Sequence, residues 1–435
     1  MNRAPIVLLF LCLLAACSKS ENAMNSLPDV SAVRLKLAFS CVREVDHLPP
    51  LDPDADKLFQ YGRYLEKKDG PKDFNDVARY YRIAAAHGHY KANHNLQILI
   101  SSGATSSPDA EKESVDLAEQ LIKAGVPSGY YDIGHYLLNG YGLQHDEDAG
   151  RRYIRKAADL GNADAQYYVA NLLDPADAAP DIARQMFQCA AEQGHAEAAN
   201  YLGVSLQIDK KFSDAAKAFQ MSVAAGSSQS AILLESAFDA NGGNDPVSNL
   251  DVHADPERVH RYNVIGKFLR ANDGRNPKVP DLNNIVPLPP AKLPTWNGTF
   301  QWQKEQDAAT PPPKPSDDFI NEMAKTKHLD PATGLPLPGS TEKTSQTDQS
   351  ESVASRLPLG TVAHTGQSCP EDGVWCAKLG AGQAGDTTRR FLKGDALPSV
   401  VVHEPRKLAV LDSMMGTRQH VEQVAWELVA YLEQS

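Results

Sequence analysis

The side chains of this chain best suited to chemistry are its cysteines and histidines. Cys369 and Cys376 bracket a Pro-Glu-Asp-Gly turn in TGQSCPEDGVWC. Three chemistries use such a pair: a redox dithiol, half of a zinc site, or a disulfide staple. A redox C-x-x-C has two residues between its sulfurs, and here there are six. A structural zinc site wants a second ligand pair, and none lies nearby. A staple suits the pair if the compartment is oxidising. His87, His89, His94, His135, His145 and His195 raise the question of a metal. His89 and His195 each directly follow a glycine at matching places in the sequence, which turn geometry explains better than ligation. Neither a metal nor a cofactor is expected. G-x-S-x-G, H-E-x-x-H, G-x-x-x-x-G-K, G-x-G-x-x-G after a strand and H-x-K with a distal aspartate are all missing, so no catalytic residue is assigned.

The compartment is written at the N-terminus. Residues 1–20, MNRAPIVLLFLCLLAACSKS, run from a charge through an apolar stretch to small residues, the order of an export signal. The apolar stretch is shorter than the roughly 20 residues that span a bilayer. Leu14-Ala15-Ala16-Cys17 resembles the lipobox of bacterial lipoproteins. That resemblance implies removal of residues 1–16, acylation of Cys17 and a periplasmic body held by lipid. Ser18 matches the general outer-membrane signal, whereas Lys19-Ser20 resembles the inner-membrane retention signal of pseudomonad lipoproteins, and the inner membrane is favoured. A net charge of −12 argues against nucleic acid and against a basic lipid-binding patch. With Cys12 and Cys17 set aside, Cys41, Cys189, Cys369 and Cys376 remain. A Cys369–Cys376 bridge is expected, leaving Cys41 and Cys189 either bridged or as two buried thiols.

Most of the chain is repetitive. AAAHG, LIKAG, AADLG, AAEQG and SVAAG end at Gly88, Gly125, Gly161, Gly194 and Gly226, a spacing of 32–37 residues that suits stacked helical hairpins. The clearest copy is 128–161. Ile133, Leu137 and Leu138 share a helical face. Gly134 allows close helix approach, and the run through Gly140 and Gly142 breaks the first helix. Asp146 caps the second, Ala157 and Ala158 are buried, and Gly161 closes it. These residues resemble the Sel-like repeat, a relative of the tetratricopeptide repeat. The resemblance covers residues 54–272 and implies a mainly α solenoid that binds partners. A sixth pair is expected to join 228–240 to 255–271. Residues 17–53 comprise a lipidated tether and a capping helix over 27–46. Tyr130, His135, Arg63 and His94 are the candidate partner contacts.

From residue 273 the composition changes. Residues 273–338 are rich in proline and aromatics and carry more apolar surface than a free linker needs, so they are expected to pack along the solenoid. A short helix is expected over 316–327 with Ser316 as its cap. Residues 339–356 read as a flexible polar linker. Residues 357–435 read as a small α+β domain: strand-like runs at 360–363, 374–377, 388–392 and 399–403, then a helix over 417–433.

The order of lipoprotein signal, Sel-like repeats, IVPLPPAKLPTWNGTFQW and TGQSCPEDGVWC with RRFLKGDALP resembles lipoproteins encoded beside type VI secretion effectors, notably antibacterial phospholipases of the D type. That resemblance implies an immunity protein, partnered with a secreted lipase and not itself an enzyme. A non-catalytic envelope scaffold and a hydrolase built on the last domain are the competing classes.

Overall fold

The computed structural model describes residues 37–175, 178–241, 245–338, 357–380, 384–385, 387–404 and 418–431. The export signal, Cys17, residues 27–36 of the expected capping helix and the expected 339–356 linker lie outside them. Twelve helices form six hairpins, α1 (Pro53–Lys67) with α2 (Phe74–Ala86), α3 (Tyr90–Ser101) with α4 (Ala110–Lys123), α5 (Ser128–Asn139) with α6 (Glu147–Asp159), α7 (Ala163–Leu173) with α8 (Pro180–Glu192), α9 (Ala196–Ile208) with α10 (Phe212–Ala224), and α11 (Ser228–Phe238) with α12 (Pro256–Ala271). Odd helices open hairpins and even helices close them. The starts are fixed by side-chain caps: Asp52, Asp73, Asp109, Asp146 and Asp255 each accept a backbone N–H in the first turn that follows.

Within a hairpin the two helices approach at a glycine. A Cβ on Gly134 would lie 2.5 Å from Ile154 and 2.9 Å from the Gly150 carbonyl. Gly62 meets Tyr81, and Gly203 meets Phe219, in the same way. Ile154, Tyr81 and Phe219 are completely buried, so the glycine is the socket for a large apolar side chain of the facing helix.

Two irregular segments close the array. The belt from Pro277 to Phe300 lies on the last hairpins, where Val279, Leu282, Ile285, Val286 and Phe300 join the core of α10, α11 and α12. After α13 (Leu282–Ile285) and α14 (Gln301–Ala308) the chain returns to the first hairpin. There α15 (Asp317–Thr326), capped by Ser316, sets Ile320, Met323 and Ala324 into the core of α1 and α2. At the other end of the sequence the expected helix over 27–46 fails within its described part. Residues 38–43 have no regular structure, and a single 3-10 turn covers Glu44–Asp46. This strap bonds across hairpin ends instead of to itself. The Glu44 N–H goes to the Gly161 carbonyl (3.2 Å) and the Gln193 amide oxygen (3.0 Å), and Gln166 bonds the Val42 carbonyl.

The expected Cys369–Cys376 bridge is absent, and the disulfide joins Cys41 to Cys189. Strand geometry gives the reason. In β2 (Gly373–Lys378) Gly373, Trp375 and Ala377 face the core, so Cys376 points to the other side. Cys369 is buried on the core side, with its thiol donating to the Glu371 carbonyl at 3.1 Å. Burial pushes that thiol up to about 12, far from a reactive thiolate.

The C-terminal unit has a sheet of β1 (Val362–His364), β7 (Ala425–Tyr431), β2 and β4 (Thr388–Phe391), in that order, and a second of β3 (Ala384–Gly385), β5 (Val400–Glu404) and β6 (Arg418–Glu422). The helix expected over 417–433 is therefore two strands. Val421, Val424, Ala425 and Leu428 do fall at helical spacing, but Trp426 and Leu428, both fully buried, alternate with half-buried or exposed neighbours and dictate a period of two. The unit rests on hairpins two and three through Arg390 and Glu119 (2.5 Å), Arg152 and Asp395 (3.0 Å), and Leu392 set among Val115, Ile133 and Tyr153.

The glycine sockets make a direct prediction. Gly134→Ala should lower urea-unfolding stability by about 1–3 kcal/mol, despite alanine's better helix propensity, because the new methyl meets backbone. A midpoint at or above that of the parent would contradict the socket reading.

Candidate binding groove

The odd helices stand side by side and line one face. Tyr136 of α5 bonds Gln97 of α3 (2.7 Å), His135 of α5 packs edge-on to Tyr168 of α7 (5.5 Å), Tyr167 of α7 meets Tyr201 of α9 (5.7 Å), and Asn200 of α9 bonds Ser230 of α11 (2.7 Å). At its N-terminal half this face holds a groove of about 360 Å³, whose lining includes Phe59 and Arg63 of α1, Tyr90 and His94 of α3, Tyr131 of α5 and Asp164 of α7. Glu44 and Leu48 of the strap form its remaining wall.

Two histidines set the local geometry. His89 and His195 are the N-caps of α3 and α9: each Nδ1 accepts the N–H three residues on, from Ala92 and Ala198 at 3.1 Å. Each Nε2 turns to the preceding hairpin, to Asp56 (3.1 Å) and Asp164 (3.2 Å). Imidazole thus does two jobs, cap and cross-brace, and its recurrence after the closing glycine follows from both. Burial of His89 holds its imidazole below the ordinary histidine value, against the pull of Asp56.

His94, in the groove lining, faces Asp132 of α5 at 3.7 Å. The carboxylate raises the His94 imidazole above its ordinary value, while burial lowers that of His135 one turn further along α5. His94 Nδ1, Asp132 Oδ2 and His135 Nε2 are buried atoms without a hydrogen-bond partner. Burial also raises the Glu44 carboxyl, which accepts from Ser128 N (3.1 Å) and Asn162 (3.2 Å). Among the described residues, no group of three His, Cys, Asp or Glu side chains is placed to hold a metal ion.

Of the four candidate contacts, Arg63, His94 and His135 share this face, with Arg63 paired to Glu66 at 2.6 Å. Tyr130 does not. It packs against Tyr153 of α6, inside the hairpin. Sequence reasoning missed Glu44, Tyr131, Asp132, Asp164 and Tyr168. Tyr131, Tyr167, Tyr168 and Tyr201 lie six or seven residues after the closing glycine of the preceding repeat, a regularity that would have found them.

The repeat residues hold the positions that make this face. Gly140 and Gly142 have positive φ (66° and 64°) where α5 ends, and the Asp146 carboxylate accepts the Ala149 N–H at 2.9 Å. Ala157 and Ala158 are fully buried, and Gly161, at φ 107°, leaves room for the strap, because a Cβ there would stand 2.6 Å from Glu44 N. Among solved structures, the Pseudomonas aeruginosa protein PA5086 is 31% identical, covering 58% of this chain and 95% of its own, with a TM-score of 0.46. The hairpins of this chain form a Sel-like helical-repeat solenoid. The P. aeruginosa immunity protein Pa5087 is 29% identical over 58% of this chain and 95% of its own, with a TM-score of 0.48. A Sel1 repeat protein of Oxalobacter formigenes is 20% identical over 50% and 90%, with a TM-score of 0.39. These superpositions add nothing to the fold, which is read from the hairpins themselves. A family model described as a domain of unknown function, DUF6396, matches residues 230–337, which in this chain are the last hairpin, the belt and α15. No curated protein matches the chain.

The strap and the histidine caps give two predictions. Cys41→Ser removes a bridge across 148 residues and should cost about 2–5 kcal/mol. A melting temperature indifferent to reductant in the parent chain would refute it. Because folded His89 binds its proton less readily than unfolded histidine, its contribution is complete above about pH 6.5 and is lost as pH falls toward the folded value. His89→Asn, which keeps a capping oxygen, should therefore lose less stability than the parent between pH 7.5 and 5.5. Parallel pH–stability curves for the two proteins would remove His89 as the cause.

Proposed function

We propose that this chain is a periplasmic, lipid-anchored immunity protein that binds and inhibits a secreted antibacterial phospholipase of the D type. The observation that carries the reading is the groove on a rigid face: beside it His135 Nε2 is buried without a hydrogen bond, and His94 Nδ1 and Asp132 Oδ2 face only each other, at 3.7 Å. Native structures pair such atoms, and the exceptions concentrate where a ligand or a function needs them. A strap, a belt and a disulfide hold the surrounding helices, so the face is preorganised, which lowers the ordering cost of tight association. The lipobox at Cys17 and the order of repeats, proline belt and terminal domain support the setting, with the inner membrane as the proposed anchor site. The name immunity protein belongs to the P. aeruginosa neighbour Pa5087 and is consistent with this reading.

The test is direct. Purified chain should abolish the lipase activity of its cognate effector near one-to-one stoichiometry, and cells lacking the gene should die on contact with effector-bearing sister cells. Full lipase activity in an excess of folded protein, together with an envelope defect that needs no effector, would favour the scaffold reading instead.

A further inference from the structure

Charge is not shared evenly among the odd helices. α1 and α3 carry Lys57, Arg63, Lys67 and Lys91 together with Asp54, Asp56 and Glu66, a mixed set. The next four odd helices, α5, α7, α9 and α11, contain no lysine or arginine, and carry Asp132, Asp164, Glu197 and Glu235. In these hairpins the bases sit on even helices, among them Arg151, Arg155, Arg184 and Lys217, or in the loop after α9, where Lys210 and Lys211 lie; Arg184 reaches α9 only at Ser205 (3.0 Å) and its end at Asp209 (2.8 Å). The four carboxylates face histidines or an amide: His94 for Asp132, His195 for Asp164 (3.2 Å) and Glu197 (3.5 Å), and Asn263 for Glu235 (2.8 Å). Lys278 of the belt comes near Glu197, but its ammonium donates to the Ala225 carbonyl at 2.6 Å.

On the same helices large apolar side chains meet water. Leu172 of α7, Tyr201, Val204 and Ile208 of α9, and Ile232 of α11 are exposed, Ile208 to 76%. The three on α9 fall at i, i+3 and i+7, a single stripe. The Tyr167–Tyr201 contact and the Asn200–Ser230 bond make α7, α9 and α11 one continuous surface.

We infer that this face binds a cationic amphipathic segment of a partner protein, with apolar side chains on Leu172, Tyr201, Val204 and Ile232 and lysine or arginine toward Asp164, Glu197 and Glu235. An apolar stripe alone would accept many occupants. The flanking charge selects among them, because an acidic segment laid along the stripe would meet Asp164, Glu197 and Glu235, and so would an anionic bilayer. The inference rests on the proposed binding role only in taking the partner to be a protein.

The test uses the full-length chain and a synthetic helical peptide with leucines on one face and lysines on the other. Two controls accompany it: the same residues in scrambled order, and glutamates in place of the lysines. Fluorescence anisotropy should show the Leu/Lys peptide binding at least about tenfold more tightly than either control. Val204→Lys and Glu197→Lys, both at exposed positions, should weaken it by about tenfold or more. Asp148→Lys on α6 and Glu322→Lys on α15 should change it less than about twofold. Circular dichroism melts confirm that each variant folds. Equal weakening by variants on and off the face would reduce the effect to bulk charge and overturn the proposal, as would a preference for the glutamate peptide or no binding. A Val204→Lys protein that still inhibits its lipase fully would sink this surface and leave the immunity reading standing. Peptide binding without any lipase inhibition would do the reverse.

Discussion

An array of stacked hairpins buries apolar surface between neighbours and leaves it bare at both ends. That constraint governs this molecule. The core of α1 and α2 is completed by Ile320, Met323 and Ala324, which lie far away in sequence, and the core of α11 and α12 by Val279, Leu282, Ile285 and Phe300. One stretch of chain, from Pro277 to Leu337, therefore serves both ends in turn. Proline suits this work because it keeps the segment extended and out of helical competition with the hairpins it covers.

An extended segment lacks internal hydrogen bonds, so its buried carbonyls need donors from elsewhere. Arg258 donates to the Pro287 and Ala291 carbonyls, Arg261 to that of Ile285 and Gln220 to that of Val286, while Lys278 of the belt donates in return to the Ala225 carbonyl at the end of α10. Arg258 and Arg261 are nearly fully buried, which a guanidinium tolerates only when its donors are used. The strap follows the same logic with the signs exchanged: the buried Glu44 carboxyl accepts from Ser128 and Asn162 at the ends of two hairpins.

These closures divide the surface by function. Even helices of hairpins two and three carry the C-terminal unit through Arg390 and Arg152, while odd helices keep an open face whose local chemistry changes from mixed charge to acidic and apolar along the array. A disulfide between Cys41 and Cys189 holds the strap at the edge of that face.

By itself the sequence determined the hairpins. Their signals are local: an aspartate before each capped even helix, a glycine after it, and apolar residues at helical spacing, all within a few turns of chain. It also determined that the belt must pack, from its load of apolar side chains, and that Ser316 starts a helix. Tertiary structure alone decided the cysteine pairing, because Cys369 and Cys376 are separated by the alternation of one strand and Cys41 and Cys189 are joined by a strap crossing hairpin ends. It decided that Ala425–Tyr431 is a strand, since Trp426 and Leu428 find their core only across β1 and β2, and helical spacing in the sequence carries no record of that partner. It placed Arg63, His94 and His135 on one face and turned Tyr130 away, because neighbours on the odd-helix face lie a whole repeat apart in sequence. Local pattern fixes an element, and contacts over long sequence distance fix which side chains meet.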